Sequence, residues 1–171
     1  MIPKVLVITL NYNQNKYTVD CVRSVLESSY ANFTIHLIDN GSTNKNFEIL
    51  ERDSPIDERV KLHRIEENIG YVGGVNFGLK SGIGLNPDYY LIMNNDTLLD
   101  EDAISELLVC AKNYNNQAIV SGKVYHYDMP NMLQYIGNAT SKKGLLDYPA
   151  LVKGRLEEDL GQYDEEMEMG M

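Results

Sequence analysis

Apolar residues come in short blocks whose period changes along the chain, and that change lays out alternating strands and helices. Lys4 to Leu10 is a compact β-branched run ending at the polar Asn11-Tyr12-Asn13, which suits a buried strand. From Asn15 the spacing becomes three and four, through Tyr17, Cys21, Val22, Val25 and Leu26. That pattern predicts an amphipathic helix with Asn15 as its cap. Phe33 to Ile38 reads as a second strand and stops at Asp39-Asn40-Gly41-Ser42; Phe47 and Leu50 then suggest a short helix rather than a hairpin. Val60 to Ile65 alternates as a short third strand. Residues 67 to 78 form a glycine-rich turn leading into a helix to Ser81, which Asn86-Pro87 breaks.

Tyr89 to Met93 is expected to be a buried strand, followed by Asn94-Asn95-Asp96-Thr97. Asp100 caps a helix whose core face is Ile104, Leu107, Leu108 and Ala111, and Ala118 to Val120 is another short strand. The order predicts an α/β fold with a mainly parallel central sheet flanked by helices. After Gly122 the pattern weakens: Val124–Tyr127 and Leu133–Ile136, separated by a Pro130-Asn131 turn, make a hairpin, and residues 137 to 171 are polar.

Length and composition narrow the class. The 171 residues suit one domain, and 43% hydrophobic with 23% charged residues is ordinary globular composition. Twenty-five acids against fifteen bases give a net charge of −10, which excludes nucleic acid as a partner, since that needs a basic face. The imbalance is local, because Glu157 to Met171 holds seven acids and no base and reads as a solvated face. Cys21 and Cys110 share no metal-ligand spacing and read as reduced thiols packed like small apolar residues. No apolar run is long enough to span a bilayer, and no signal peptide is evident, so the expected location is cytoplasmic. On that footing the glycosylation-like patterns at Asn32, Asn40, Asn95 and Asn138 are chance matches.

Ligands of open α/β sheets lie beyond the carboxyl ends of strands, near the point where strand order reverses. Three polar clusters fall at such ends: Thr9 to Asn13, Asp39 to Ser42, and Asn94 to Thr97. Each alone reads as a way of leaving a strand, but the three together point to a site. Asp96 follows an apolar run, so a partly sheltered carboxylate is expected there. A divalent cation bridging phosphate oxygens and the backbone of the following turn are equal candidates for its partner. Asp39 accepts either a ligand N–H, such as the imide of uracil or thymine, or the backbone of an Asx turn.

Gly73 to Ser81 nearly matches a phosphate loop, but Leu79 is inserted before Lys80, and the spacing fits no dinucleotide fingerprint either. What survives is close backbone approach at Gly73 and Gly74, with main-chain N–H groups facing a phosphate, or a helix entry packed on the sheet. His36, His63 and His126 show no ligand spacing and read as structural, and Met167, Met169 and Met171 as a loosely ordered end.

Taken in order, Ile8-Thr9-Leu10-Asn11-Tyr12-Asn13, Ser24-Val25-Leu26, Ile38-Asp39-Asn40-Gly41-Ser42, Asn68 to Asn76, and Leu91 to Thr97 form a pattern. It resembles the family 2 glycosyltransferases of the Rossmann-like GT-A fold, especially a bacterial rhamnosyltransferase-like branch, over about residues 4 to 125. The resemblance implies transfer of a sugar, with inversion, from a nucleoside diphosphate donor (a UDP- or dTDP-sugar). The acceptor would be a polysaccharide or lipid-linked glycan, at the inner face of the cell membrane. It implies that Thr9, Asn11 and Asn13 line the nucleotide pocket, that Asp39 reads the base, and that Gly70, Gly73 and Asn76 approach the ribose or diphosphate. Asn94-Asn95-Asp96 stands in place of the family's Asp-x-Asp motif, so Asp96 would bind Mg²⁺ or Mn²⁺, with an amide replacing the first carboxylate.

The family's general base lies in a later acidic motif, expected beyond Met171. The chain is therefore expected to hold a donor half, about 1–125, and an incomplete acceptor region, about 126–171, within one domain. Transfer by this length of chain is expected to be weak or absent. Peripheral membrane association and self-association are further expectations. Two other readings stand beside this one: a nucleotidyltransferase-like enzyme, for which Asn11 to Lys16 offers only one base, and a non-catalytic nucleotide-sugar-binding module.

Overall fold

A computed structural model describes residues 2–117, 119–136, 139–140, 146–147 and 157–162. The chain divides into two compact units, residues 1–104 and 105–171. In the first, β1 (Val5–Asn11), α1 (Asn15–Leu26), β2 (Phe33–Asn40), α2 (Asn44–Asp53), β3 (Val60–Ile65), α3 (Gly70–Gly82) and β4 (Tyr89–Ile92) follow one another. The four strands are all parallel, in the order β3-β2-β1-β4. The chain steps outward from β1 to β3 and then returns to place β4 on the other side of β1. Strand order therefore reverses between β1 and β4.

Alternation along β1 and β2 assigns each side chain to one face. Leu6, Ile8 and Leu10 of β1 and His36, Ile38 and Asn40 of β2 meet α3. Thr9 and Asn11 of β1 turn instead to α1, where they meet Cys21 and Thr18. Because both faces of β1 are covered, its sequence is apolar nearly throughout.

Helix α3 lies close on the sheet because Gly74, Gly78 and Gly82, one turn apart, carry no Cβ. A Cβ on Gly78 would stand 2.7 Å from Ile8 Cγ2. The glycine-rich turn expected over 67–78 is thus helix from Gly70 onward, and these glycines serve packing rather than a loop. Two further expectations are corrected. Asn15 is the first helical residue and not the cap; its side chain donates to the Asn46 carbonyl (2.8 Å). Strand β4 ends at Ile92 and is only half-buried, since Tyr90 and Ile92 face outward from the last strand of this sheet.

In the second unit, α4 (Ala103–Asn113), which begins at the division, buries Ile104, Leu108 and Ala111 of the expected face and leaves Leu107 half-buried. Asp100 turns the chain into it, accepting the Asp102 N–H at 3.0 Å. Residues 119–120 form no strand, and Ala118 lies outside the described residues. The hairpin joins β5 (Val124–His126) to β6 (Met129–Tyr135) through Tyr127-Asp128. Pro130-Asn131, expected at the turn, lies inside β6. Pro130 precedes the residues that pair with the next strand, so its missing N–H costs no ladder bond there. Besides β7 (Ala139–Thr140) paired with β8 (Leu146–Asp147), β9 (Glu157–Glu158) pairs with Met132 and Leu133. Asp159 next to it accepts from Tyr125 Oη (2.5 Å) and Lys123 Nζ (2.9 Å), bonds that hold its carboxyl down at about 2. Met167, Met169, Met171 and Asn138 lie outside the described residues. Among the described residues no helix is long and apolar enough to cross a membrane.

Beneath α3, the His36 and His63 rings lie 4.5 Å apart. Ser81 Oγ donates to the Gly78 carbonyl, so its lone pairs face His36 Nδ1 at 2.9 Å and the ring proton sits on Nδ1. Burial pushes His36 down to about 4 and lowers His63 as well. The folded protein therefore holds both rings neutral where the unfolded chain protonates them. Their contribution to stability is full above pH 6.5 and is lost as pH drops from 6.5 towards 4. The urea midpoint should decrease through that window, and decrease less in His36→Asn. Gly78→Ala should destabilise by about 1 kcal/mol in chemical denaturation, the clash with stiff Ile8 outweighing the gain in helix propensity.

Candidate functional site

The carboxyl edge of the sheet gathers the expected polar clusters. Asn11 ends β1 and is the register partner of Asp39 on β2, so both side chains turn towards α1 and α2. Both are fully buried. Asn11 Nδ2 donates to Asp39 Oδ1 (2.8 Å), Ser42 Oγ (3.1 Å) and Asn15 Oδ1 (3.2 Å), and its Oδ1 accepts from Thr18 Oγ1 (2.8 Å) and the Gln14 N–H (3.3 Å). Asp39 Oδ2 takes the Ser42 N–H (3.2 Å), a bond to the backbone three residues on rather than the two of the expected Asx turn. Among the described residues this carboxylate makes no ion pair and is satisfied by neutral donors. Arg64 of β3, its register partner, stacks over Phe47 instead (4.4 Å) and reaches Asn44.

The turn after Asp39 is fixed at two points. Gly41 has φ +78°, and a Cβ there would stand 2.3 Å from the Asn68 N, so only glycine passes. Asn13, itself at φ 56°, accepts from Thr43 N (3.1 Å) and Asn46 Nδ2 (2.7 Å), tying the loop after β1 to the start of α2. Asn40 points to the opposite face. It donates to Asn68 Oδ1 (3.2 Å) and the Gly70 carbonyl (3.1 Å) and accepts the Ile69 N–H (3.2 Å), so it fixes the start of α3. That start has no side-chain cap, leaving first-turn N–H groups open beyond Gly70.

The segment after β4 is held almost entirely by α1. Asn95 Nδ2 donates to Thr18 Oγ1 (2.8 Å), Cys21 Sγ faces the Asn94 carbonyl (3.6 Å), and Ser24 Oγ accepts the Leu99 N–H (2.9 Å). Thr18, Cys21 and Ser24 are three apart and share a face of the helix. Desolvation, with Asp96 adding to it, pushes the Cys21 thiol up to about 11, so it stays a donor at neutral pH. Asp96 is exposed at the tip, contrary to the partly sheltered place expected. Its carboxylate takes no hydrogen bond among the described residues, and the turn's own bond runs from Thr97 N to the Asn94 carbonyl (3.4 Å).

Of the residues expected in the site, Asn11, Asn13 and Asp39 come together at one edge, with Asn94, Asn95 and Asp96 beyond β4. Thr9 is buried one step deeper, against Cys21 at 4.0 Å. Gly70 opens α3, Gly73 packs on Ile69 within it, and Asn76 is exposed on its surface. Thr18, Cys21 and Ser24 of α1 are not legible in the sequence as holding the site; Asn40 of β2 falls in the Asp39–Ser42 cluster, but its hold on the start of α3 is not legible either. The signal for the first and third was a polar residue on an otherwise apolar helical stripe.

No group of three or more His, Cys, Asp or Glu side chains among the described residues makes a metal cage. The Asp96 carboxylate, free of hydrogen bonds among the described residues and beside two amides, nevertheless fits a hard divalent cation that takes its other ligands from substrate phosphates and water.

A family model described as glycosyl transferase family 2 matches residues 6–155. Glycosyltransferase GlyG of Streptococcus pneumoniae is 32% identical over 117 residues, 68% of this chain and 38% of that protein. A Haemophilus influenzae protein described as an uncharacterized glycosyltransferase is 31% identical over 153 residues, 89% of this chain and 58% of that protein. TuaG of Bacillus subtilis, described as a putative teichuronic acid biosynthesis glycosyltransferase, is 32% identical over 106 residues, 62% of this chain and 41% of that protein. The chain thus spans between 38% and 58% of these relatives' lengths. Among solved structures, a Pyrobaculum calidifontis mannosyltransferase in complex with GDP-Man and Mn²⁺ aligns with TM-score 0.56 at 18% identity, covering 63% of this chain and 32% of its own. S. aureus TarS in complex with UDP aligns with TM-score 0.54 at 17% identity, covering 74% and 43%. The shared architecture is the GT-A α/β fold.

Asn11→Asp would set two buried carboxylates against each other 28 residues apart in sequence but in hydrogen-bond contact. We expect a loss of about 3 kcal/mol at pH 7. One of the pair then holds a proton, with its pKa raised, so the deficit relative to wild type should shrink as pH falls. Urea titrations of both proteins at pH 7.5 and 5.5 check this; an unchanged deficit would count against direct contact.

Proposed function

The chain belongs to glycosyl transferase family 2, and on that premise we propose that it binds a nucleoside diphosphate sugar and transfers the sugar with inversion to a glycan or lipid-linked acceptor. The observation that carries the reading is an exposed Asp96, without a hydrogen bond among the described residues, held in a tethered turn at the strand-order reversal, beyond β4 and beside the strand that ends at Asn11. That is where an open α/β sheet takes its ligand. The structural neighbours with bound GDP-Man and UDP support a diphosphate donor, and we favour a UDP- or dTDP-sugar.

In this reading Thr9, Asn11 and Asn13 shape the nucleotide end. Asp39 reads the imide N–H of the base by exchanging one of its present protein donors for it. Gly70 and Gly73 bring the open first-turn N–H groups of α3 towards the diphosphate, where the helix dipole favours negative charge, and Asn76 reaches the ribose or diphosphate from the same helix. Asp96, with Asn94 and Asn95, would hold Mg²⁺ or Mn²⁺ shared with the donor. Held there, such a cation would supply Lewis-acid stabilisation of the negative charge on the departing nucleoside diphosphate. Asp159, held near 2 by Tyr125 and Lys123, is too weak a base to deprotonate an acceptor hydroxyl, so that role falls to another carboxylate. TuaG's description, teichuronic acid biosynthesis, supports a polysaccharide acceptor, and we place the reaction at the cytoplasmic face of the membrane.

Calorimetric titration with UDP, dTDP, GDP and AMP, each with and without Mn²⁺, tests the reading. One diphosphate should bind, and more tightly with the metal; no binding to any would remove the donor site. Asp96→Ala should cost at least about tenfold in affinity, roughly 1.4 kcal/mol, in the presence of Mn²⁺ while leaving the thermal midpoint unchanged, because the side chain is exposed.

A further inference from the structure

The hydrogen bonds across the site run in one direction. Asp39 can only accept, so Asn11 must show it the Nδ2 end of its amide. Asn11 Oδ1 then faces Thr18, whose single hydroxyl proton goes to it at 2.8 Å. The lone pairs of Thr18 Oγ1 are left for Asn95 Nδ2, also at 2.8 Å. With its nitrogen committed to Thr18, Asn95 keeps its Oδ1, which takes no hydrogen bond among the described residues, as the free end of the amide preceding Asp96. The charge of a buried carboxylate on β2 thereby sets which way an amide points beyond β4, through one fully buried hydroxyl on α1.

We propose that Thr18 is a positioning residue. Its hydroxyl joins the Asn95–Asp96 turn to the Asn11–Asp39 pair, fixing the spacing between the two ends of the nucleoside diphosphate site and turning the Asn95 oxygen outward beside Asp96. This rests on the proposed donor site above. Two features set Thr18 apart from a core threonine that merely satisfies itself. It lies on the same face as Cys21 and Ser24, which hold the same segment at Asn94 and Leu99. Of the three, it is the one that bonds the Asn11–Asp39 pair, whereas Cys21 touches Thr9 at 4.0 Å; the Gln14 carbonyl, at 3.1 Å, is the usual partner of a helical threonine and is the longer of its two acceptor contacts.

Polar groups behind a metal ligand commonly change metal affinity about 10–100-fold when removed, and Thr18→Val should act in that range. The experiment is a Mn²⁺ titration at fixed UDP, dTDP or GDP, read by calorimetry, on wild type, Thr18→Val and Thr18→Ser. The Mn²⁺ midpoint should rise at least about tenfold in Thr18→Val and return to within about threefold of wild type in Thr18→Ser. Metal-free nucleotide affinity should stay within about threefold in both, since Ser42 and Asn15 still hold the Asn11 end. In the free protein, the Asn95 side-chain amide should lose exchange protection in Thr18→Val. If Thr18→Val does not fold, Thr18→Ala takes its place, with the same expectations.

A folded Thr18→Val or Thr18→Ala with a wild-type Mn²⁺ midpoint would overturn the relay while leaving the donor site standing. A fall in metal-free affinity equal to the fall with metal would also overturn it, because that is the signature of general loosening. A wild type that takes up none of the three diphosphates, with or without Mn²⁺, would overturn the donor site and the relay with it.

Discussion

A carboxylate buried without an ion pair has to be satisfied by neutral donors, and the site is organised by that demand at Asp39. The Asn11 amide, the Ser42 N–H and the sharp turn at Gly41 all answer it. Because the demand is directional, it does more than neutralise a cost: it sets the amide of Asn11, the hydroxyl of Thr18 and the amide of Asn95 in sequence. Chains of this kind polarise one another in a low-dielectric surround, which favours one arrangement over its flipped alternatives.

The sheet separates two tasks by parity. Odd-numbered positions at the end of β1 and β2 face α1 and α2 and build the Asp39 cluster, whereas Asn40, one residue on, faces the other way and fixes the start of α3. The Asp39-Asn40 dipeptide thus anchors both faces of the sheet at its carboxyl edge. Close seating of α3 on its glycines brings the Asn40 amide within reach of the Gly70 carbonyl. A helix spaced by ordinary side chains would stand farther out and lose that contact.

Much of this was legible in the residues. Strands with both faces covered read as continuous apolar runs, and α1, α2 and α4 showed their period, so β1, β2, β3 and those helices fell within a few residues of their observed limits. The clusters at Asn11, Asp39 and Asn94–Asp96 were visible as polar residues at strand ends. What was hidden depends on neighbours far away in sequence. Glycine in α3 reads as loop until a sheet is known to press on it. Pro130 reads as a turn until the strand partner is known to pair farther along. Shelter at Asp96 was inferred from the apolar run before it, but β4 is half-open, and the run gives no cover to the turn that follows. Thr18 carried only the trace of a hydroxyl on an apolar stripe.

The placement of β4 has a consequence for the order in which the molecule assembles. Lys4 and Asp88, which join just ahead of the β1–β4 pairing, are 84 positions apart, whereas β1 and β2 meet across a single intervening helix. Loop-closure entropy therefore places the docking of β4 late, after the β1–α1–β2 unit exists to receive it. The segment carrying Asp96 is then the last part of the site to arrive and, resting on three hydrogen bonds to α1, the first to leave in a partial opening. If the proposed donor site holds, donor and cation binding would draw on that same opening equilibrium, and one strand edge would tie local lifetime to affinity.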